Sequence, residues 1–301
     1  MDDRIIGFEG RGAQRQYRLL MLLYALVFNR WLYGIFCRWL ARFFDAGNKV
    51  VLDLGSGREF RVYLDDGYWT RFILYHKDYE PEVRRVMDAG AGHTSLFCDL
   101  GANSGLWSVY GSGLFDRVTA VEASQATFAR LIENTAPLSN VETHHRAIFD
   151  RSGELLRFVN VHNSHASAHL DLNTPGNSED TVEEITTLRI DDIVPEGEAA
   201  IMKLDVEGAE IAAIAGAERA LRDGGVLVYE DHGSDLASEV SAHLMGLPEI
   251  RVYSIEKQAL LVENLNHLTR IKTDRYKGYN FLAGHKSSPL LTAIVQGFAK
   301  R

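Results

Sequence analysis

The stretch Phe97-Cys-Asp-Leu-Gly-Ala-Asn-Ser-Gly105 decides the fold, because a short apolar run ends there in an acid and a glycine-containing turn. Glycine has no Cβ and tolerates positive φ, so such a turn lets a ligand approach the backbone. A helix-length segment follows, and then a β-type run, Arg117-Val-Thr-Ala-Val121, leads to Glu122. Glu122 is 23 residues beyond Asp99, close to the spacing of about 20 that places a carboxylate on ribose hydroxyls. We therefore predict a site for a ribose-containing cofactor at 99–105.

A second segment, Val51-Leu-Asp-Leu-Gly-Ser-Gly57, has a similar composition and competes for this role. The next β-type run begins almost directly after Gly57, which leaves no room for a helix, so we predict a hairpin turn there. The 99–105 loop also differs from the GxGxxG loop of nucleotide dehydrogenases, since an acid precedes its first glycine. An acid suits the ammonium group of a methionine moiety and would repel a pyrophosphate. We therefore expect S-adenosylmethionine as the cofactor.

Strand-like and helix-like segments alternate from about residue 95, which indicates an α/β fold with a doubly wound, mostly parallel sheet and helices on both faces. Turn signals between β-favouring residues over 49–75 indicate an antiparallel β element before it. The predicted strands are 95–100, 117–122, 141–148, 199–205, 225–231 and 249–256. The predicted helices are 104–114, 124–136, 207–222 and 235–245.

Composition limits the classes of partner. The 301 residues carry a formal net charge of −9, so we expect no nucleic-acid partner and a neutral, small-molecule or glycan acceptor. The two cysteines, Cys37 and Cys98, have neither metal-ligand spacing nor the density of a disulfide framework. We expect a cytoplasmic protein in a reducing compartment.

The first 45 residues are predicted to be a helical extension. Its apolar run, Leu19 to Phe28, is shorter than the roughly 20 residues that a membrane-spanning helix needs. One interpretation is a homodimer surface, since so apolar a run is unsuited to full exposure. The other is a peripheral contact with the inner face of the membrane, because Trp31, Tyr33 and Trp39 suit a headgroup boundary.

Five segments resemble the FkbM family of methyltransferases, over a region that runs from about residue 61 to 231. They are Tyr79-Glu-Pro-Glu82, Asp99-Leu-Gly-Ala-Asn-Ser-Gly105, Val121-Glu-Ala-Ser124, Lys203-Leu-Asp-Val-Glu-Gly-Ala-Glu210 with Gly216-Ala217, and Tyr229-Glu-Asp-His232. The third departs from the family pattern, since Ala123 stands where a proline is usual. The resemblance implies a class I methyltransferase fold and O-methylation of a hydroxyl on a sugar, glycan, glycolipid or secondary metabolite.

The expected organisation is a helical extension (1–45), a methyltransferase domain (46–286) and a C-terminal tail (287–301). The domain would contain the antiparallel β element (49–80) and a Rossmann-like core (95–256). Ile148 and Asp150 are expected beside the adenine, at the next strand end. The complete set expected to bind S-adenosylmethionine is Asp99, Gly101, Asn103, Gly105, Glu122, Ile148 and Asp150.

The acceptor is expected between two further strand ends, because the carboxyl ends of parallel strands open on the same crevice. The candidate catalytic residues there are His232, Asp205, Glu207 and Glu230, with 162–169 as a candidate acceptor loop. His232 is favoured as the base, since histidine is the commonest general base. Glu207 has an alternative role as a helix cap. Lys203 interrupts an apolar run and is either an edge feature or an ion-pair partner of a nearby acid.

A metal is an alternative means of activating the hydroxyl. Asp205, Glu230 and Asp231 resemble the ligand layout of magnesium-dependent catechol O-methyltransferases, and oxygen ligands of this kind suit Mg²⁺. Two other functions stay open from the sequence: a nucleotide-dependent oxidoreductase, and a methyltransferase-like binding domain without activity.

Overall fold

The computed structural model describes residues 3–26, 36–37, 39–74, 79–160, 169–170, 181–206 and 208–299. It divides into two compact units, Met1–Tyr79 and Glu80–Arg301. The expected boundary was at residue 46, between a helical extension and the antiparallel β element. In the structure an N-terminal strand pairs with that β element, so the two belong together. No helix among the described residues has the length and apolar character needed to cross a membrane.

The first unit contains a three-stranded antiparallel sheet in the order β1-β2-β3. Its elements are β1 (Ile5–Glu9), α1 (Ala13–Leu26), β2 (Lys49–Asp53), β3 (Glu59–Tyr63) and α2 (Trp69–Leu74). The prediction of helix alone before residue 45 is therefore wrong at β1, whose Ile-Ile-Gly-Phe-Glu sequence pairs with the edge of β2. The predicted hairpin turn at 51–57 is confirmed: the Leu54 backbone N–H donates to the Arg58 carbonyl, and the Asp53 side chain accepts from the Gly55 N–H at 2.8 Å.

The second unit contains the alternating strands and helices. Its strands are β4 (Leu96–Leu100), β5 (Arg117–Glu122), β6 (Val141–His145), β7 (Ala147–Phe149), β8 (Leu155–Asn160), β9 (His169–Leu170), β10 (Thr181–Arg189), β11 (Ala200–Leu204), β12 (Val226–His232), β13 (Ile250–Ser254), β14 (Leu260–Leu261) and β15 (Gly278–His285). Its helices are α3 (Pro81–Gly90), α4 (Leu106–Gly111), α5 (Gln125–Thr135), α6 (Ile190–Ile193), α7 (Glu210–Ala215), α8 (Glu218–Arg222), α9 (Glu239–Met245), α10 (Leu265–Ile271) and α11 (Pro289–Ala299).

The central sheet has eight strands in the order β14-β13-β15-β12-β11-β4-β5-β6. The strands from β12 to β6 run parallel, whereas β15, β13 and β14 pair antiparallel. This arrangement confirms the predicted doubly wound, mostly parallel sheet. The order reverses at β4, so the crevice at a topological switch point lies beside the glycine loop that follows β4.

Two predicted elements are divided in the structure. The strand expected over 141–148 separates into β6 and β7, and β7 pairs with β10 in a four-stranded sheet of order β7-β10-β8-β9. The helix expected over 207–222 becomes α7 and α8. Gly216 lies at this break, where a side chain would be 2.4 Å from the Phe149 carbonyl oxygen. The chain turns there because only glycine fits against β7.

Side chains of the central sheet alternate between its two faces. On one face, Cys98, Leu100 and Tyr229 join the main buried apolar cluster with residues of α7 to α10. On the other face, Phe97 and Ile201 pack close to Gly111 of α4 and Gly90 of α3. Both faces are therefore covered, and polar side chains at the carboxyl strand ends lie at the margin of a packed core.

Candidate active site

The glycine loop after β4 has a backbone that only glycine can adopt at its first turn. Gly101 has φ +83°, and a Cβ there would lie 1.9 Å from the Asp205 carbonyl oxygen. The backbone N–H groups of Gly101 and Ala102 both donate to the Val121 carbonyl at 2.9 Å. The loop is thereby fixed between the ends of β5 and β11, which are the two neighbours of β4 in the sheet.

Asn103 and Gly105 complete the turn. Asn103 is a non-glycine residue in the left-handed region (φ 51°), where asparagine is enriched because its side chain bonds locally. Its Oδ1 accepts from the Ser104 backbone N–H at 2.7 Å. Gly105, at φ +88°, precedes α4, and a Cβ there would meet Leu131 Cδ1 at 2.7 Å. The loop therefore approaches α5 as closely as glycine permits.

Glu122 ends β5 with a buried carboxyl group. Its Oε2 accepts from the Asn103 backbone N–H at 2.9 Å, and its Oε1 accepts from the Ser124 backbone N–H at 2.8 Å. Burial raises the pKa of Glu122 to about 7, although both hydrogen bonds oppose the shift. Glu122 thus joins the glycine loop to the end of the neighbouring strand.

Asp99 is the most deeply buried acid of the loop, with 1% of its surface exposed. Its Oδ2 accepts from the Ser108 hydroxyl of α4 at 2.6 Å, whereas Oδ1 finds no hydrogen-bond partner among the described residues. Burial raises the pKa of Asp99, and the nearby Lys203 ammonium opposes this. A buried carboxylate oxygen without a donor is costly, so this atom marks where a ligand group with hydrogen-bond donors fits.

Lys203 lies within β11. Its side chain forms an ion pair, which is one of the two roles that the sequence left open for this residue. Its Nζ donates to Asp205 Oδ2 at 2.7 Å, and its side chain is 5% exposed. Burial alone would lower the pKa of Lys203, but Asp205, Glu80 and Asp99 together raise it. The buried ammonium group is therefore bonded to Asp205 and interacts electrostatically with Glu80 and Asp99.

Ile148 and Asp150 lie on either side of the end of β7. Ile148 is 2% exposed and belongs to the main apolar cluster, so its side chain contributes to the core. Asp150 is half-buried and lies 3.9 Å from the Arg151 guanidinium. β6 ends at His145. Its ring stacks on Phe128, and its backbone position pairs in register with Glu122 of β5. The surface beside Glu122 is thus made by His145, a residue that the sequence did not single out.

Glu230 and His232 lie at the end of β12, at different depths. Glu230 is half-buried, and its carboxyl group lies against Gly278. A Cβ added to Gly278 would be 2.2 Å from the Glu230 carboxyl carbon. His232 is exposed, and its Nδ1 lies 2.6 Å from the Ser234 hydroxyl. The Ser234 backbone N–H also donates to Nδ1 at 3.2 Å, so the neutral ring carries its proton on Nε2. In this arrangement His232 presents an N–H donor, which differs from its predicted role as the base.

The predicted metal set of Asp205, Glu230 and Asp231 is wrong. Consecutive residues of a strand point to opposite faces, so Glu230 and Asp231 cannot converge on one ion. Asp231 is 2% exposed and is bonded to the Ser241 hydroxyl at 2.6 Å and to the Lys272 ammonium at 2.5 Å. Asp205 is bonded to Lys203. Within the described ranges, no group of three potential metal ligands comes together.

Several predicted features lie outside the described residues: Glu207, residues 162–168 of the candidate acceptor loop, and Trp31 and Tyr33 of the N-terminal extension. Conversely, the sequence reasoning did not assign site roles to Glu80, Trp107 and Asn280. Trp107 Nε1 donates to Glu80 Oε2 at 2.8 Å, and the Asn280 amide donates to Glu82 Oε1 at 3.1 Å. Only the Tyr79-Glu-Pro-Glu82 segment carried a signal, through its resemblance to the family.

The fold and the glycine loop define the class of protein, a class I methyltransferase fold. The model of the methyltransferase FkbM domain matches residues 99–273, which is more than half of the chain. The chain belongs to the FkbM methyltransferase family.

Solved structures resemble the chain more distantly, and no curated protein matches it. Methyltransferase FkbM from Methylobacillus flagellatus KT has 18% identity and a TM-score of 0.40, and the match covers 74% of this chain and 54% of that one. An rRNA methylase from Streptococcus thermophilus has 14% identity and a TM-score of 0.40, over 69% and 99%. The O-methyltransferase TomG from Streptomyces achromogenes, in complex with SAM, has 13% identity and a TM-score of 0.40, over 69% and 81%. The chain spans about half the length of the first of these structures.

Proposed function

We propose that the chain is an S-adenosylmethionine-dependent O-methyltransferase that acts on a hydroxyl of a sugar, glycan, glycolipid or secondary metabolite. The observation that carries the proposal is the pair of buried acids, Asp99 and Glu122, on either side of the glycine loop. Family membership supports the transfer of a methyl group. When bound, the cofactor supplies a methyl group on a sulfonium, which an oxygen nucleophile takes by in-line displacement.

The residues of the loop fit this cofactor. Gly101 allows the backbone at the end of β11 to approach the loop closely, and Asp99 Oδ1 has no donor among the described residues. A methionine ammonium group supplies such donors. The Glu122 carboxylate accepts one backbone N–H at each oxygen, and each oxygen has a further lone pair for a ribose hydroxyl. Asp99 and Glu122 would therefore hold opposite ends of the cofactor.

We assign removal of the acceptor proton to Glu230. Lys203 pairs with Asp99 on one side and with Val228 on the other, so these three side chains share one face of the sheet. Asp205 is two residues beyond Lys203, and Glu230 is two residues beyond Val228, so both lie on that same face. His232 would orient the acceptor by donating a hydrogen bond from its Nε2–H. A positioned general base contributes typically 10²–10⁴-fold to the rate.

Glutamine substitutions separate the two roles. His232→Gln keeps a donor near the position of Nε2 but cannot act as a base, whereas Glu230→Gln keeps size and loses the charge. Release of S-adenosylhomocysteine with a panel of sugars, glycolipids and hydroxylated metabolites would be the readout. We expect Glu230→Gln to slow turnover about 100-fold or more and His232→Gln to slow it less. The reverse order would make His232 the base. Wild-type protein that binds the cofactor but methylates nothing in the panel would argue for a binding domain.

The cellular setting and partners also belong to this proposal. Cys37 and Cys98 are buried free thiols, and burial raises the pKa of Cys98 to about 12. Inert thiols of this kind support a cytoplasmic protein in a reducing compartment. The N-terminal segment is proposed to form a homodimer contact or a peripheral contact at the inner membrane face. Nucleic acid is not among the proposed partners, given the net charge of −9.

A further inference from the structure

Glu80 occupies a backbone conformation that is unfavourable for its position in the sequence. It directly precedes α3, which begins at Pro81, and has φ 42° and ψ 61°. A residue before proline is driven towards extended backbone, and a non-glycine residue in the left-handed region is uncommon. Glu80 makes no side-chain hydrogen bond to cap the helix that follows. Capping does not explain the conformation, and strain of this kind clusters at ligand-binding sites.

The Glu80 side chain is oriented by one strong hydrogen bond and keeps one oxygen largely available. Trp107 Nε1 donates to Oε2 at 2.8 Å. The other oxygen, Oε1, has a single long contact of 3.5 Å with the Asn280 amide. The residue is partly exposed. Burial nevertheless has the largest influence on the pKa of the Glu80 carboxyl group, and it raises that pKa. The carboxyl group is therefore largely enclosed by protein, in a residue that keeps part of its surface exposed.

Lys203 connects Glu80 electrostatically to the glycine loop. Its ammonium group is bonded to Asp205 and also interacts with Glu80 and Asp99, so three acidic side chains share one positive charge. Independently of this charge, the buried Asp99 Oδ1 has no hydrogen-bond partner in the described part of the chain. Three acidic side chains around one ammonium group, beside a buried oxygen without a donor, fit a ligand group that is cationic and donates several hydrogen bonds.

We propose that Glu80 binds the α-ammonium group of the cofactor's methionine moiety together with Asp99. This inference rests on the proposed function. In it, Trp107 and Lys203 are positioning residues: the indole holds Glu80 Oε2, and the Lys203 ammonium keeps both carboxylates on the same side of the crevice. A primary ammonium group has three N–H donors, which suffice for Asp99 Oδ1 and Glu80 Oε1.

Two ligands that differ only in the ammonium group test the proposal. Calorimetric titration would measure the affinities of S-adenosylhomocysteine and of its deamino analogue, in which hydrogen replaces the α-amino group. Wild-type protein should bind S-adenosylhomocysteine about tenfold or more tightly than the analogue, since hydrogen bonds to charged groups are worth that factor or more. Glu80→Gln should reduce this preference about tenfold and leave the affinity for the analogue within about twofold.

Glu82→Gln is the matched control, because Glu82 lies two residues away on α3 and also accepts from Asn280. This variant should keep the wild-type preference. A Glu80→Gln variant that keeps the full preference, or that binds both ligands more weakly by the same factor, would overturn the proposal in favour of a purely structural role. If Glu80→Gln does not fold, Glu80→Asp is the variant to test, because its shorter side chain withdraws the carboxylate. The preference of this variant for S-adenosylhomocysteine over the deamino analogue should be lower than that of wild type, and an unchanged preference would overturn the proposal. Wild-type protein that binds neither ligand would contradict the proposed function itself.

Discussion

Burial brings the pKa of the Glu122 carboxyl group close to neutral pH, so we expect cofactor binding to depend on pH. Its pKa is raised to about 7, mainly by burial and to a smaller extent by Asp205 and Asp99, against the hydrogen bonds from the Ser124 and Asn103 backbone. Ribose hydroxyls donate best to the ionised carboxylate, because protonation removes an acceptor site. Binding should therefore strengthen as pH rises through about 7, and it should release a proton.

The size of the effect follows from the pKa. The ionised fraction of Glu122 in the free protein falls from about 0.9 at pH 8 to about 0.1 at pH 6. If S-adenosylhomocysteine binds the ionised form, its affinity should fall about tenfold over this range, or about 1.4 kcal/mol. Glu122→Gln should bind more weakly at every pH, because its amide NH₂ faces one of the two backbone N–H donors at a cost of about 1–3 kcal/mol. The variant cannot titrate at this position, so its profile should be flatter.

The assay is calorimetric titration with S-adenosylhomocysteine at pH 6, 7 and 8 and constant ionic strength. Glu80 and Asp99 also have raised pKa values, so the informative quantity is the difference in slope between wild type and Glu122→Gln. Two results would refute the reasoning: a wild-type affinity that does not change with pH, or an equal slope in the two proteins. The variant should first be shown to unfold cooperatively, so that lost binding is not confused with lost structure.

The same pKa predicts the pH dependence of stability without ligand. Between pH 4.5 and about 7 the folded protein retains a proton on Glu122 that the unfolded chain has released. The folded state is thus favoured at the acid end, and this contribution is lost as pH rises through about 7. The full shift corresponds to about 3 kcal/mol. Thermal unfolding of wild type and Glu122→Gln across this range would measure it, and a variant with the wild-type profile would contradict the assignment.

Two further substitutions test the packing that forms the site. Gly101→Ala should unfold at a lower temperature and lose cofactor binding, because its Cβ would lie 1.9 Å from a carbonyl oxygen. Gly57→Ala, with positive φ but open space around it, is the control and should lose only about 1 kcal/mol. Lys272→Met should cost about 3–5 kcal/mol in denaturant unfolding, since it leaves Asp231 charged and buried. Lys286→Met removes an exposed ion pair and should cost less than about 1 kcal/mol; equal losses in the two lysine variants would contradict this account.

The sequence was sufficient for the parts of the site that depend on local pattern. The apolar run before Asp99, the glycines after it and the distance to Glu122 determine a βαβ unit, so the loop and its neighbouring strand were predictable. The odd position of Lys203 in an apolar strand left an edge feature and an ion pair as alternatives, and the structure shows the ion pair, with Asp205. These features need only strand and helix periodicity.

The sequence was insufficient where distant segments meet or where a side chain's face decides its role. Glu80 and Asn280 are 200 residues apart and come together only through the order of the strands. Asp231 appeared to join Glu230 in a metal site because both were read as the end of a strand, but β12 continues to His232. Continued strand alternation sends Asp231 to the opposite face, where Lys272 neutralises it.

Calorimetric titration of the full chain with S-adenosylmethionine is the test of the claim that the 99–105 loop binds this cofactor. We expect one cofactor per chain, an affinity about tenfold or more lower in Asp99→Ala, and no change in Asp53→Ala, whose side chain caps the hairpin turn after β2. A nicotinamide dinucleotide should not bind. The claim would be contradicted if wild type showed no binding, if it preferred the dinucleotide, or if Asp99→Ala bound the cofactor as tightly as Asp53→Ala.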